Sequence, residues 1–348
     1  MIPGGIGPAD FSDVLPSGNG GIMYDAFKAM GGGMMKAGNS MLKMAVSFWG
    51  MCCEAGVKYL KVNPKGTGAY TTVSGTIFSV FLAIAASLIV FFFLLGWLNE
   101  TIDINKSFTL ENMFRFFVRF AIASSLVANS FWLVYGITDC SVALVNAVNV
   151  DVKSMTKNAL KEEVTINVGG MTKKQKKQAK KEAKKVAGEY GYFGNIYHQL
   201  DSNDDTEAWD WFSDGLLCFF GGLIGGLTIL VCGVQLVVTV MQRLFKMLLC
   251  IPFAPIALAG LAGGERFSHS AYAWIRTFIG YGLEAVTMVL AIAISFGLFK
   301  DANLFASVGN GTASDIILSI CGMVMPMISA CAAIKGSDMI VRRCMGLG

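Results

Sequence analysis

Long apolar stretches with almost no charge recur along the chain. Four lie within residues 216–334, and two more lie near residues 76–98 and 116–137. A helix needs about 20 apolar residues to cross the roughly 30 Å of hydrocarbon in a bilayer. The runs are uninterrupted, whereas the strands of a membrane barrel alternate between apolar and polar residues. The pattern therefore predicts an all-α fold, a polytopic integral membrane protein with five or six transmembrane helices.

The same pattern divides the chain into four segments. They are a Gly-rich N-terminal segment (1–70), a first transmembrane pair (71–150), a polar central insert (151–212) and a C-terminal transmembrane bundle (213–348). Leaving aside residues 247–261, we expect membrane spans at about residues 76–98, 114–137, 215–240, 271–299 and 313–334.

The N-terminal segment combines loop-forming and helical patterns. Glycine and proline are frequent in residues 1–40, which predicts mostly loop with a short helix around Tyr24–Met30. From Met34 to Lys61, apolar residues recur at helical spacing with lysines between them. The uncharged part, Met44–Cys53, is too short to span a bilayer, so we expect an amphipathic helix at the membrane interface.

Residues 247–261 are apolar but contain Pro252 and Pro255. Proline inside a helix removes a backbone hydrogen bond, which predicts a kinked or re-entrant element. A complete span here would give six spans with both termini on one side, as the distribution of Lys and Arg favours. A re-entrant element would give five spans with the N-terminus outside, as the two prolines favour. The sequence leaves this choice and the orientation open.

The central insert begins with a lysine-rich helix and ends in an acidic segment. The lysines of this helix are Lys173, Lys174, Lys176, Lys177, Lys180, Lys181, Lys184 and Lys185. Such a face is ordinarily solvated, but beside a membrane it also attracts anionic lipid headgroups, and nucleic-acid phosphates are a third candidate partner. We expect the two charge blocks partly to neutralise each other, within one insert or between copies.

Glycines in the third expected span form two overlapping GxxxG pairs. They are Gly221, Gly222, Gly225 and Gly226. Small residues at this spacing let helix backbones approach closely in lipid. We expect them to pack helices within one subunit, with packing between subunits as the alternative.

Glu284 lies near the middle of the span at residues 271–299. A charge at that depth costs several kcal/mol unless it is paired or wetted. One interpretation is a pore-lining or gating carboxylate, with Arg243, Arg276 or a neighbouring copy as its partner. The other is a protonated or hydrogen-bonded acid that fixes the rotation of its helix.

The sequence contains no motif typical of an enzyme. It lacks GxxxxGK[ST], GxSxG and HExxH, and its two histidines and the absence of CxxC argue against a zinc or redox site. We therefore predict a non-enzymatic protein without a cofactor. Without a phosphate-binding loop, any transport would need energy from another subunit.

The region of the double proline resembles a known family. The stretch from Arg243 to Arg266, with the core Ile251-Pro-Phe-Ala-Pro-Ile-Ala257, is followed by Ala273-Trp-Ile-Arg-Thr-Phe278. These residues are similar to the TrbL-like conjugal transfer membrane protein, the polytopic VirB-type inner-membrane component of type IV secretion systems. The resemblance covers roughly residues 70–348, and the proline core is its most distinctive part.

The resemblance implies a non-enzymatic channel or scaffold subunit in the bacterial inner membrane. Several copies would surround a translocation path for a DNA–protein substrate, with secretion ATPases as the energy source and an extracytoplasmic stalk or tip protein above. The proline-broken piece would face water, because irregular backbone at membrane depth needs protein or a water-filled cavity around it. The lysine-rich insert departs from the family pattern.

Two other functions remain open. One is a secondary transporter with a site around Glu284 near the midplane, although no inverted repeat pairs the first two spans with the last three. The other is a membrane anchor or interaction protein without a conduit. The copy number, the host envelope and the translocated substrate are not indicated by the sequence.

Overall fold

The structure, a computed structural model, describes most of the chain and is helical throughout the described part. The described residues are 21–63, 67–102, 110–148, 150–159, 181, 184–202, 207–300 and 312–346. The helices are α1 (Ile22–Lys61), α2 (Gly68–Thr72), α3 (Phe78–Ile102), α4 (Leu110–Ala128), α5 (Ser130–Ala147), α6 (Val152–Ala159), α7 (Gly194–Ser202), α8 (Ala208–Cys250), α9 (Ala254–Ala259), α10 (Glu265–Lys300) and α11 (Thr312–Cys344). A π-helical segment (Val73–Ile77) joins α2 to α3, and 3-10 turns lie at Gly191–Phe193 and Gly260–Gly263.

Five helical stretches are long and apolar enough to cross a membrane, among the residues that the structure describes. They are Gly68–Asn99, Ser130–Asn158, Ala208–Cys250, Phe267–Leu298 and Ile316–Cys344. The expectation of an all-α chain with the helices of a multi-pass membrane protein is confirmed.

The second of these stretches differs from its predicted position. We expected one span over about residues 114–137, but α4 ends at Ala128 and α5 begins at Ser130. Asn129 separates them because its side-chain amide donates to the Ser125 carbonyl (2.8 Å) and its backbone leaves the helical region. The membrane-length stretch therefore starts at Ser130.

The prediction of a mostly loop-like N-terminus up to residue 40 was wrong for the described part. α1 is a single helix of 40 residues, which begins at Ile22 and contains Gly31 and Gly38. Glycine inside a helix costs about 1 kcal/mol relative to alanine. Both glycines are buried against the backbone of α8, so close packing compensates for their poor helix propensity.

The apolar segment around the two prolines is broken, as its sequence predicted. α8 ends at Cys250, and the chain turns through Ile251–Phe253 with i→i−3 hydrogen bonds before α9 begins. Pro252 lies in this turn, and Pro255 lies in the first turn of α9, where its missing N–H has no helical partner to lose. The apolar helix that follows, Ala254–Gly263, is too short to span a bilayer. This favours five spans over six.

The chain forms two compact units, each assembled from three separate stretches of sequence. Unit 1 comprises Met1–Met51, Asp151–Val234 and Ile294–Ser329, and unit 2 comprises Cys52–Val150, Gln235–Ala293 and Ala330–Gly348. In unit 2, one core cluster joins Phe78 and Val134 to Met247, Ile251 and Phe278. A second cluster packs α9 against α3 and α4.

Candidate functional site

Arg243 of α8 is the centre of a buried polar cluster in unit 2. Its side chain is only 5% exposed, and its Nε donates to the backbone carbonyl of Tyr281 on α10 (2.7 Å). Its Nη2 donates to Ser141 Oγ on α5 (3.4 Å), and Ser141 Oγ donates in turn to the Gly282 carbonyl (3.0 Å). Arg243 therefore joins three helices through hydrogen bonds that are assisted by its charge.

The approach of α5 to α10 depends on a small residue. A Cβ atom at Gly282 would lie 3.3 Å from Ser141 Cβ, which is tighter than an ordinary contact. The absence of a side chain at Gly282 lets Ser141 reach the backbone of α10 and present its oxygen to Arg243.

A small cleft lies beside this arginine. Its lining includes Tyr59, Thr138, Ser141 and Met247 as well as Arg243. The space is about 10 Å³, close to the minimum that one water molecule requires. A water molecule in this cleft could hydrate the guanidinium group of Arg243. The cleft is much too small to bind an organic solute.

Glu284 is buried in the same unit and is 3% exposed. Its Oε1 lies 3.5 Å from Ser337 Oγ on α11, and its Oε2 has no hydrogen-bond partner among the described residues. Arg243 does not form an ion pair with Glu284, because its donors are directed to the Tyr281 carbonyl and Ser141. The expected pairing of the two groups is therefore absent from the described contacts.

Arg276, the other expected partner of Glu284, is exposed on α10. The two residues are eight positions apart, which on an α-helix separates them by about 12 Å along the axis and about 80° around it. The described residues show no ion pair between them.

An ion pair that the sequence did not suggest lies at the ends of α8 and α11. Lys246 Nζ is 3.2 Å from Asp338 Oδ2, and Arg342 Nε donates to Asp338 Oδ1 (2.8 Å). We expected the last span to end near residue 334, whereas α11 continues to Cys344 and so carries Asp338 to Lys246. The only signal in the sequence was the spacing of Asp338 and Arg342 by one helical turn.

The proline break is held by an aromatic side chain of α10. Trp274 Nε1 donates to the Cys250 carbonyl at the C-terminus of α8 (3.1 Å), and its ring stacks on Phe278. Carbonyl groups at a helix end lack helical partners, so this bond replaces one that the break removes. Nothing in the sequence indicated this role for Trp274 beyond its position in the motif Ala273–Phe278.

The segment after the break is enclosed by protein. Ala254, Leu258, Ala259 and Ala262 are fully buried, while Phe253 remains exposed. We expected the proline-broken piece to face water, and for α9 that expectation was wrong. Of the two settings that tolerate irregular backbone at membrane depth, α9 occupies the protein interior.

The predicted GxxxG glycines lie in unit 1 and face two helices. On the first face, Gly222 contacts Gly38 of α1, and a Cβ at Gly222 would lie only 2.6 Å from the Gly38 carbonyl oxygen. Gly226 is less constrained, since the nearest atoms to its Cβ position are Met41 O at 3.5 Å and Ala45 Cβ at 3.7 Å. α1 thus runs lengthwise along α8.

The second face of these glycines contacts α11. A Cβ at Gly225 would lie 3.2 Å from Val324 and 3.3 Å from Ile320, and one at Gly221 would meet the end of the Ile320 side chain. All four glycines therefore lie at contacts within this chain.

Acidic residues of the insert form ion pairs with α1 in unit 1. Lys28 Nζ lies 2.6 Å from Asp201, and Lys36 Nζ lies 3.1 Å from Glu189. The hydrogen bond to Asp201 raises the pKa of Lys28, and the hydrogen bond from Lys36 lowers the pKa of Glu189. These two carboxylates bind lysines of the N-terminal helix. The expected partial neutralisation of the two charge blocks, within one insert or between copies, stays a prediction, because most of the lysines of the insert lie outside the described residues.

Aromatic rings support the same contacts. Lys28 lies 5.1 Å from the centre of the Trp211 ring, and Lys36 lies 4.8 Å from that of Tyr190. Tyr190 stacks on Tyr197, and burial is the main cause that raises the pKa of Tyr197 to about 12. These ion pairs and cation–π contacts bind the insert to α1.

The lysine-rich helix is described only in part. Lys181, Lys184 and Lys185 are exposed. The remaining predicted contacts of this helix, Lys173, Lys174, Lys176, Lys177 and Lys180, lie outside the described residues.

The buried polar groups of unit 2 include a cation, Arg243, which contacts the hydroxyl group of Ser141, and an acid, Glu284, which contacts the hydroxyl group of Ser337. Comparisons with protein-family models, with curated proteins and with solved structures each found no match.

Proposed function

We propose that this chain is a non-enzymatic channel or scaffold subunit of a type IV secretion machine for conjugative DNA transfer. The sequence that resembles the TrbL-like family includes the break between α8 and α9. This break is the observation that carries the proposal, because a bilayer anchor needs only unbroken helices. The Cys250–Trp274 hydrogen bond and the buried α9 stabilise an irregular backbone that simple anchoring does not require.

The membrane helices leave much apolar surface outside the chain. In the most apolar 18 residues of Gly68–Asn99, only 17% of the residues are buried within the chain. Val80, Phe91 and Leu94 are more than half exposed. Such surface is suited to lipid and to neighbouring copies of the same subunit. We propose that several copies surround the path of a DNA–protein substrate.

Other subunits would complete the machine in the bacterial inner membrane. Secretion ATPases would supply energy, and an extracytoplasmic stalk or tip protein would continue the path. The exposed lysines Lys181, Lys184 and Lys185 are suited to anionic lipid headgroups beside the membrane.

Deletion of the gene in a host that carries a conjugative element tests the proposal. We expect transfer to be lost and to return with the wild-type chain, and we expect the purified protein in nanodiscs to have the mass of several copies. A monomer, together with unchanged transfer after deletion, would contradict the proposal. A monomer stabilised by a specific small solute would instead favour the transporter function.

A further inference from the structure

Among the described residues, no group donates a short hydrogen bond to the carboxyl group of Glu284. Its Oε2 is buried without a partner, and the one polar contact of its Oε1 is Ser337 Oγ at 3.5 Å. An ionised carboxylate is an acceptor only and requires donors when it is buried. A neutral carboxylic acid instead carries a donor of its own.

The hydroxyl group of Ser337 has a single hydrogen, which is committed elsewhere. Ser337 Oγ lies 2.7 Å from the Ile334 carbonyl on its own helix, a much shorter contact than the one to Glu284. The hydrogen therefore points to Ile334, and the oxygen lone pairs remain available to Glu284. This contact is a hydrogen bond only if Glu284 provides the hydrogen.

The cations around Glu284 are engaged by other acceptors. Among the described residues, the charged groups that interact electrostatically with Glu284 are Arg243 and Lys246 of α8 and Asp338 and Arg342 of α11, and Arg342 is bound to Asp338. Arg243 donates to the Tyr281 carbonyl and Ser141, and Lys246 binds Asp338.

We propose that Glu284 is a buried proton-binding site. It is a neutral acid that donates from Oε1 to Ser337 Oγ, and Ser337 donates onward to the Ile334 carbonyl. A neutral Oε2 then loses far less by burial than a charged oxygen would.

Infrared spectroscopy of the full chain in nanodiscs at neutral pH tests this proton directly. We expect the carbonyl stretching band of a protonated carboxylic acid in the wild-type protein and a decrease of its intensity in Glu284→Gln. Glu111→Gln is the matched control, because Glu111 is exposed and bound to Arg115 (2.7 Å), so its loss leaves the band unchanged. Absence of the band from the wild-type protein, or an unchanged band in Glu284→Gln, would overturn the proposal.

A second variant decides the question if Glu284→Gln does not fold. Ser337→Ala removes the acceptor of the proposed hydrogen bond, so the band should remain and move to higher frequency. An unmoved band would count against the proposal. The inference does not rest on the proposed function, since the measurement reports the side chain and requires no transfer of substrate.

Discussion

Gly222 of α8 lies directly against Gly38 of α1, with a distance of 2.6 Å from the Cβ position of Gly222 to the Gly38 carbonyl oxygen. Gly38 is equally close to α8, because its own Cβ position lies 2.5 Å from the Cys218 carbonyl oxygen. A side chain at either position would force the two helices apart. The contact therefore requires glycine on both sides.

Substitution of alanine at Gly222 and at Gly226 should have very different effects. Gly222→Ala would force α1 and α8 apart, and overpacking of this kind costs about 1–3 kcal/mol. Gly226→Ala meets only ordinary contacts at 3.5 Å and beyond, so it should be tolerated although both glycines belong to GxxxG pairs. Unfolding in mixed micelles measures the difference.

Gly33→Ala is the matched control on α1. No described atom lies within 4 Å of its Cβ position, so alanine should raise the free energy of unfolding by about 1 kcal/mol through its better helix propensity. Equal effects at Gly222 and Gly226, or destabilisation by Gly33→Ala, would argue against the observed packing of α1 on α8.

The sequence was a good guide to features that depend on local composition. The apolar stretches and the break near Pro252 follow from the residues themselves, so both could be predicted. The continuity of α1 from Ile22 to Lys61 could not be predicted, because Gly31 and Gly38 disfavour a helix locally and their cost is compensated by contacts with α8. These contacts join residues more than 170 positions apart in the chain.

Trp274→Phe should destabilise unit 2. The variant keeps the aromatic ring but leaves the Cys250 carbonyl without the Nε1 donor, and an unsatisfied buried polar group costs about 1–3 kcal/mol. The free energy of unfolding in mixed micelles is the measurement. Trp132→Phe is the control, since Trp132 is 67% exposed and its replacement should have little effect. Equal stability of the two variants would exclude a role for Trp274 at the break.

The candidate site was predictable only in part. Glu284 and Arg243 were recognisable as charges within apolar stretches, but the sequence could not show that Arg243 binds the Tyr281 carbonyl instead of Glu284. Asp338 was missed because it lies beyond the apolar part of α11. Its pairing with Lys246 exists only because the helix continues through that polar segment.

Arg243→Lys should be destabilising although it keeps the charge. Arginine reaches the Tyr281 carbonyl and Ser141 with two nitrogen atoms, whereas lysine has one ammonium group on a flexible stem. Loss of one charged hydrogen bond costs about 1.5–3 kcal/mol. Arg276→Lys on the exposed side of α10 is the control and should change stability by less than about 0.5 kcal/mol. Similar losses in both variants would show that Arg243 has no special role.

The ion pair between Lys36 and Glu189 should make the stability of unit 1 depend on acidic pH. The hydrogen bond from Lys36 holds the pKa of Glu189 below its usual 4.5 in the folded chain. The carboxylate therefore stabilises the fold above that usual value, and this contribution is lost as the pH falls through the lowered pKa. The effect should be small because the pair is exposed.

Comparison of the wild-type chain with Glu189→Gln isolates this contribution. The difference between their thermal unfolding midpoints should be constant near neutral pH and should vanish at pH values below the lowered pKa of Glu189. In a Lys36→Met background, Glu189→Gln should have a much smaller effect, since the main partner that lowers the pKa of Glu189 is gone and only the weaker attraction of Lys185 is left. A difference that grows on acidification, or one that is undiminished by the loss of Lys36, would mean that Glu189 stabilises the insert through another contact.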